Sequence, residues 1–496
     1  MPETKILAID QSTSGTKAII FDDQAKVIHR CTESHSQYYP QSDWVEHDPE
    51  EIFEKTKLAI KNVLQESQTN LSEIAAVAIT NQRETVAVWD KKSGQPVYNA
   101  IVWQCQRGAE TCQILKEQGY NEIVASKTGL IIDPYFSATG LKWIMDQVQG
   151  VQEKATAGEL AFGTMDSWLI YKLTGGSVHA TDYSNACRTM LYNIYDLKWD
   201  QELLDLMAIH KNMVPEVKYS DAIFGYTQIG DVFDRAIPIT GVMGDSHAAF
   251  FGQNCFKKGM AKATYGTGSS IMMNIGKKPL KSPQGLVTSI GFGCQDEIDY
   301  VFEGNIHCTG DTINWLVKDL ELITNARESE TLALSVEDNN GVYLVPAFVG
   351  LGAPYWDNAA RASISGMSRN TKKAHVVRAA LEAIAYQVKD LLDLMTQEAG
   401  IELSEIRVDG GPTKNNFLMQ FQSDLLDSSV VVNDVEEASA LGVALAGGLG
   451  IGFWKNLDEL GHLISTKKRF TSKMPDEVRK KLYDGWMKAV HSVIKK

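Results

Sequence analysis

Two stretches of the chain, ILAIDQSTSGTKAIIFD at 6–22 and GMAKATYGTGSSIMMNIG at 259–276, share one plan: an apolar strand, a turn of Ser, Thr and Gly, and a second apolar strand. The first turn spends seven polar or small residues, Asp10 to Thr16, and leads to Lys17. A tight hairpin needs two, commonly Asn-Gly or Asp-Gly. The second turn runs from Tyr265 to Ser270. Such turns are shaped around something they bind. A chain that repeats the unit folds as two mixed α/β halves, which we place at 1–253 and 254–496.

The intervening patterns fill out both halves. Strands are expected at 4–10, 17–22 and 26–31. A helix should start after Asp48 as N-cap, with Pro49 at its first position and Glu50 and Glu51 in its first turn. IAAVAIT and TVAVWD read as strands on either side of NQRE. In the second half, the strand YVFEG precedes a helix from about Thr309, and a long helix covers AHVVRAALEAIAYQVKDLLDLM. The strand IRVDGG, a helix near TKNNFLMQFQSDLL and a small-residue helix at EASALGVALAGGLG close the chain.

Composition narrows the function classes. A length of 496 residues exceeds one ordinary domain, and 44% hydrophobic with 22% charged residues is a globular balance. The net charge of −14 argues against a general nucleic-acid or membrane-surface binder. No apolar run reaches the roughly 18–20 residues that span a bilayer. The opening MPETKILAID lacks the pattern of a secretory leader. Seven scattered Cys without CxxC fit reduced thiols, so a cytoplasmic location is expected.

Four motifs carry chemistry. In the first turn, the hydroxyls of Thr13, Ser14 and Thr16, successive backbone N–H groups and Lys17 form a cradle suited to phosphate oxygens. GxxxxGK[ST] is absent and the chain leaves as a strand, so this is no P-loop. In GVMGDSHAAFFGQ, Asp245 is either a helix N-cap or a general base at a strand end. His247 has no metal-ligand spacing and reads as structural. Arg83 and Glu84, after a buried strand, are either solvated turn residues or a donor and acceptor for adjacent hydroxyls of a polyol. VDGGPTKNN is either a plain βα turn or a close approach for a nucleoside.

Together these motifs resemble the FGGY carbohydrate kinases, most closely their glycerol kinase branch. The resemblance runs along essentially the whole chain through AITNQRETVAVWD, DPYFSATGLKWI, GGSVHATDYSNACRTMLYNI, GVYLVPAFVGLGAPYWD and VDGGPTKNNFLMQFQSDLL. ASISGMSRNTKKAHVVRAALE is similar to the family's C-terminal signature. The resemblance implies an α/β protein with two domains of the sugar kinase/actin/heat-shock ATPase (ribonuclease H-like) fold, with a catalytic cleft between them. It also implies MgATP as phosphoryl donor and a homodimer. By matching position, Thr13, Ser14, Gly15 and Lys17 would hold ATP phosphates. Thr267, Gly310, Asn314, Gly411 and Asn415 would line the nucleotide. Asp10 and Asp245 would serve magnesium. Arg83, Glu84, Trp103, Tyr135, Asp245, Ser246 and Ser270 would form the acceptor pocket.

The departures fall mainly on that pocket. Ser246 stands where glycerol kinases usually have Gln, and Ser269 and Ser270 stand for Cys-Phe. WQCQR replaces WQDRR and Gly140 replaces a Lys, while Lys17 replaces Arg and Asn314 replaces Gln. The reading is phosphoryl transfer from ATP to a primary hydroxyl of a small polyol or open-chain ketose, with Asp245 as base and an enlarged acceptor pocket. A pentulose kinase such as xylulokinase is one alternative. A non-catalytic actin-like ATP-binding sugar sensor is the other.

Overall fold

Ile6, Leu7, Ala8 and Ile9 are all fully buried, as in a strand covered on both faces. The computed structural model describes residues 4–435 and 437–494. In it the chain opens with β1 (Lys5–Gln11), β2 (Gly15–Phe21) and β3 (Val27–Ser34). Helix α1 (Pro49–Ser67) starts as expected, with the Asp48 side chain accepting from the Glu50 N–H. Its apolar face, Ile52, Ala59, Ile60 and Val63, is fully buried. There follow β4 (Ile74–Asn81), α2 (Met165–Leu173), β5 (Ile223–Tyr226), β6 (Pro238–Gly244) and α3 (Asp245–Gly252). The first sheet runs β5-β6-β4-β1-β2-β3. In it β6, β4 and β1 are mutually parallel and the other pairs antiparallel.

The second half repeats this wiring. Its strands are β7 (Met260–Tyr265), β8 (Ser269–Gly276), β9 (Val287–Cys294) and β10 (Glu297–Ile306), followed by α4 (Gly310–Lys318) and α5 (Lys373–Ala399). Then come β11 (Glu405–Gly410), α6 (Asn416–Leu426), β12 (Ser429–Asn433), α7 (Ala438–Gly450) and β13 (Thr466–Phe470). The sheet order is β9-β10-β8-β7-β11-β12-β13. Apart from the extra β9, it is the first sheet over again: an antiparallel meander, two parallel neighbours, then an antiparallel edge. The repeat that is faint in wording is explicit in topology.

One helix crosses between the halves. α7 belongs by sequence to the second half, yet it packs on α3, β6, β4 and β1 of the first. A Cβ on Gly442 would lie 1.8 Å from the Ala248 carbonyl oxygen, and one on Gly252 would lie 2.3 Å from that of Ala438. Only glycine lets these two helix backbones touch. The resulting apolar cluster joins Ile6 and Ala8 with Met272, Val301 and Val443, so one core spans both halves. No described helix is long and apolar enough to cross a membrane.

Candidate active site

Strands β1, β4 and β6 end level, with Gln11 paired to Asn81 and Asn81 to Gly244. The residues that follow therefore emerge along one edge: the first turn after β1, Arg83 and Glu84 after β4, and Asp245 after β6. The carboxyl ends of parallel strands are where open α/β sheets bind ligands.

Both turns are shorter than the sequence suggests. The ladder continues through Asp10–Lys17 and Gln11–Thr16, leaving Ser12 to Ser14 as the turn. The Ser12 N–H donates to the Gly15 carbonyl at 2.8 Å. In the second unit Tyr265 pairs with Ser269, so the turn is Gly266 to Gly268. Backbone ladders do not depend on side-chain polarity, so the polar flanks pair as strand. Thr13 and Ser14 stay at the first tip, and Trp103 Nε1 donates to Thr13 Oγ1 at 3.0 Å. Gly15 sits where a Cβ would meet the Glu33 carbonyl at 2.7 Å.

Lys17 Nζ lies 2.8 Å from Glu437 and 4.0 Å from Asp10. Burial pushes the Asp10 carboxyl up to about 7; Lys17 opposes the shift, while Asp245 and Glu437 add to it. Asp10 thus has the carboxylates of Asp245 and Glu437 near it, Glu437 being paired also with Arg30 at 2.8 Å. The oxygens of Asp10 and Asp245 suit a hard divalent cation such as magnesium. Asp245 Oδ1 is held by Arg83 Nε at 3.3 Å and by the Ser246 N–H at 2.6 Å. Its Oδ2 has no hydrogen-bond partner among the described residues. The N-cap of α3 is Gly244, so Asp245 is the first residue of the helix and not its cap. Its carboxyl stands at the end of β6, on the edge where the other strand ends meet.

Arg83 and Glu84 are not solvated turn residues; both are buried. Arg83 donates through Nη1 and Nη2 to Glu303 at 3.1 and 3.0 Å, and Nη2 lies 3.5 Å from the Tyr135 hydroxyl. Glu84 adopts φ 63° and accepts from Arg188 Nε at 2.7 Å. Arg188 Nη1 in turn donates to Glu303 at 2.8 Å and to Ser289 at 3.1 Å. Burial opposes ionisation of Glu303, but Arg188 and Arg83 hold its carboxyl well below the usual range. At Glu84 burial wins over the same two arginines and raises the carboxyl. His247 is fully buried, with Nδ1 3.5 Å from Arg83 and no partner for Nε2 among the described residues. Burial, and then Arg83, hold it neutral.

Glu303 and Arg188 were not singled out from the sequence. Their signals, EG at the end of a strand and CRTM after a short helix, are too plain to read without the fold. Glu303 comes from β10 of the second half, so the network bridges the halves. Ser270 pairs with Asn305, and Met272 with Glu303. Ser270 on β8 therefore lies on the same face of the sheet as Glu303 on β10, which reaches Arg83. Its Oγ is shielded from solvent and has no hydrogen-bond partner among the described residues. Trp103 and Tyr135 meet edge to face at 5.6 Å. Beside them a cavity of about 320 Å³ is lined by Tyr135, Phe136, Arg188, Glu303 and Asn305.

The second turn borders a separate cavity of about 770 Å³, which gathers Thr267, Gly310, Asn314, Gly411 and Asn415. Ile313, Leu381, Ile384 and Leu418 give it an apolar wall, the kind of surface that takes a purine ring. Arg327 and Glu330 also line it and were not foreseen. Gly310 and Gly410 are glycines for steric reasons. A Cβ at Gly310 would stand 2.5 Å from the Gly266 carbonyl oxygen, and one at Gly410 2.0 Å from that of Tyr265.

Known proteins share this architecture. The model of the FGGY family of carbohydrate kinases, N-terminal domain, matches residues 5–252, and that of the C-terminal domain matches residues 261–451. Glycerol kinase 1 of Thermotoga maritima is 54% identical over 489 residues, covering 99% of both chains. The glycerol kinase of Bacillus subtilis is 49% identical over 492 residues, again covering 99% of both. Among solved structures, Plasmodium falciparum glycerol kinase with ADP superposes with a TM-score of 0.96 at 37% identity, covering 100% of this chain and 99% of that one. A xylulose kinase from Lactobacillus acidophilus shares the fold, with a TM-score of 0.87 at 20% identity, covering 99% and 98%. Two family models that cover most of the chain, with relatives identical at about half of all positions end to end, show that it belongs to the FGGY family of carbohydrate kinases and is a carbohydrate or polyol kinase.

Proposed function

We propose that the enzyme transfers the γ-phosphoryl group of ATP to a primary hydroxyl of a polyol or open-chain ketose longer than glycerol. Asp245 Oδ2 takes the hydroxyl proton as the oxygen attacks phosphorus in line. Arg83 Nε and the Ser246 N–H orient that carboxylate through Oδ1. Thr13, Ser14, Gly15 and Lys17 at the first turn, with Thr267 at the second, meet the phosphate oxygens. Gly310, Asn314, Gly411 and Asn415 hold the nucleoside. Asp10 and Asp245 would hold magnesium, which would supply positive charge to neutralise the phosphates. Arg83, Glu84, Trp103, Tyr135, Ser246 and Ser270 bound the acceptor. The two kinase domains divide at 253/254, the chain pairs as a homodimer, and its seven unbridged cysteines suit the reducing cytoplasm.

The observation that carries the longer acceptor is Ser270 Oγ, shielded and without a hydrogen-bond partner among the described residues, on the same face of the sheet as Glu303, which reaches Arg83. A buried hydroxyl without a partner costs roughly 1–3 kcal/mol, and an additional acceptor hydroxyl would satisfy it. The nearby cavity is lined by Tyr135, Glu303 and Asn305, the ladder partner of Ser270. The test is a kcat/KM series for glycerol, erythritol, erythrulose, xylulose and ribulose with the unaltered enzyme and Ser270→Phe. A four- or five-carbon acceptor should lead in the first, and glycerol should gain by ~1–3 kcal/mol in the second. If glycerol leads in the unaltered enzyme, the acceptor is the one named for its relatives. Absence of transfer to any acceptor restores the sensor alternative.

A further inference from the structure

Far from the cleft chemistry, the edge strand β3 and the end of α1 bring three different ligand types together. Exposure alternates along β3, so His29, Cys31 and Glu33 share the face turned to α1. On α1, Asn62 and Glu66 are one turn apart and point back at that strand. Asn62 donates to Glu33 at 2.8 Å, and Glu66 Oε2 lies 2.9 Å from His29 Nε2. The candidate ligand atoms of His29, Cys31 and Glu66 all lie within 4.8 Å of one another. Among the described residues this is the one such three-ligand group.

We propose that His29, Cys31 and Glu66 form a zinc-type metal site that clamps β3 to α1. A thiolate with an imidazole selects a borderline-soft ion such as Zn²⁺ over the hard Mg²⁺ of phosphoryl transfer. Zinc bonds of about 2.3 Å to sulfur and 2.0–2.2 Å to nitrogen and oxygen require the group to draw in by roughly 1 Å. The ion displaces the His29–Glu66 hydrogen bond, and water completes the tetrahedron. Binding releases the Cys31 thiol proton to solvent while the sulfur lone pair goes to the metal. The other six cysteines are buried and Cys31 is half-buried. β3 pairs with β2, and its carboxyl end lies against the first turn, where the His35 N–H donates to the Ser14 carbonyl at 3.4 Å. The clamp therefore braces the strand behind that turn.

The test uses metal-stripped full-length protein titrated with Co²⁺ and then Zn²⁺. One equivalent of Co²⁺ should give a thiolate-to-cobalt charge-transfer band that Zn²⁺ abolishes. Zn²⁺ should also raise Tm by roughly 2–5 °C. Cys31→Ser should lose both responses, and His29→Gln should weaken Co²⁺ affinity at least ten-fold. Glu66→Gln, at an exposed position that cannot threaten the fold, should weaken it as well. No band in the unaltered protein, or an unchanged band in Cys31→Ser, overturns the assignment. So does full Co²⁺ affinity in Glu66→Gln.

Discussion

Asp245 and Glu303 act on the same guanidinium from opposite halves of the molecule, and their variants should fail differently. Asp245→Asn keeps the Oδ1 contact with Arg83 and removes only the proton acceptor. We expect turnover to fall roughly 100- to 10,000-fold with ADP affinity unchanged by calorimetry. Turnover near the unaltered level would remove Asp245 from the reaction. Glu303→Gln keeps an acceptor for Arg83 but leaves Arg83 and Arg188 with one less buried negative charge. Acceptor KM should rise and kcat fall because Arg83 no longer holds one position, while ADP binds as before. A loss confined to thermal stability would make Glu303 purely structural.

At the level of elements, the start of α2 is tied to its neighbours by one carboxyl. Asp166 accepts from Thr164 at 2.5 Å and from Thr181 at 2.6 Å. This joins the strand Leu160–Thr164 to the strand Ala180–Asp182. Burial, reinforced by Asp182, raises Asp166 from 3.8 to about 7. The folded state thus keeps a proton that the unfolded chain gives up near 4. Its contribution to stability is full below about pH 4 and is lost as pH rises to about 7, at up to ~1.4 kcal/mol per unit. Asp166→Asn lacks this titration. Urea midpoints at pH 5, 6 and 7.5 should show the variant gaining on the unaltered protein with rising pH. A constant difference across that range would contradict the buried-proton account.

Across the whole molecule, α7 makes the two halves one mechanical object. Gly442→Ala places a methyl 1.8 Å from the Ala248 carbonyl, so the helices must part, at a cost of roughly 1–3 kcal/mol. The strain falls on β1, β4 and β6, which α7 covers. Hydrogen exchange should therefore speed up in those strands although the substitution lies in the second half. Exchange changes restricted to residues after 253 would show that the halves do not share a core. The same crossing explains why Glu437, next to α7, reaches Lys17 at the first turn.

The sequence by itself determined most of the elements and marked a set of candidate site residues. Apolar runs set the strands, Asp48-Pro49 set the start of α1, and the family wording marked Asp245 and the five residues, Thr267 among them, that gather in the nucleotide cavity. These signals are local, because each depends on neighbours in the chain. The turn lengths were misread because polar side chains do not stop a backbone ladder. Only the tertiary structure decided where Glu303, Arg188 and Glu437 go, since each acts on a residue more than a hundred positions away and carries no local signature. It also decided that α7 belongs to the first sheet. Its Gly442 looks like any small residue until the Ala248 backbone is seen against it, and contact across the chain is a property of packing that no short stretch of sequence contains.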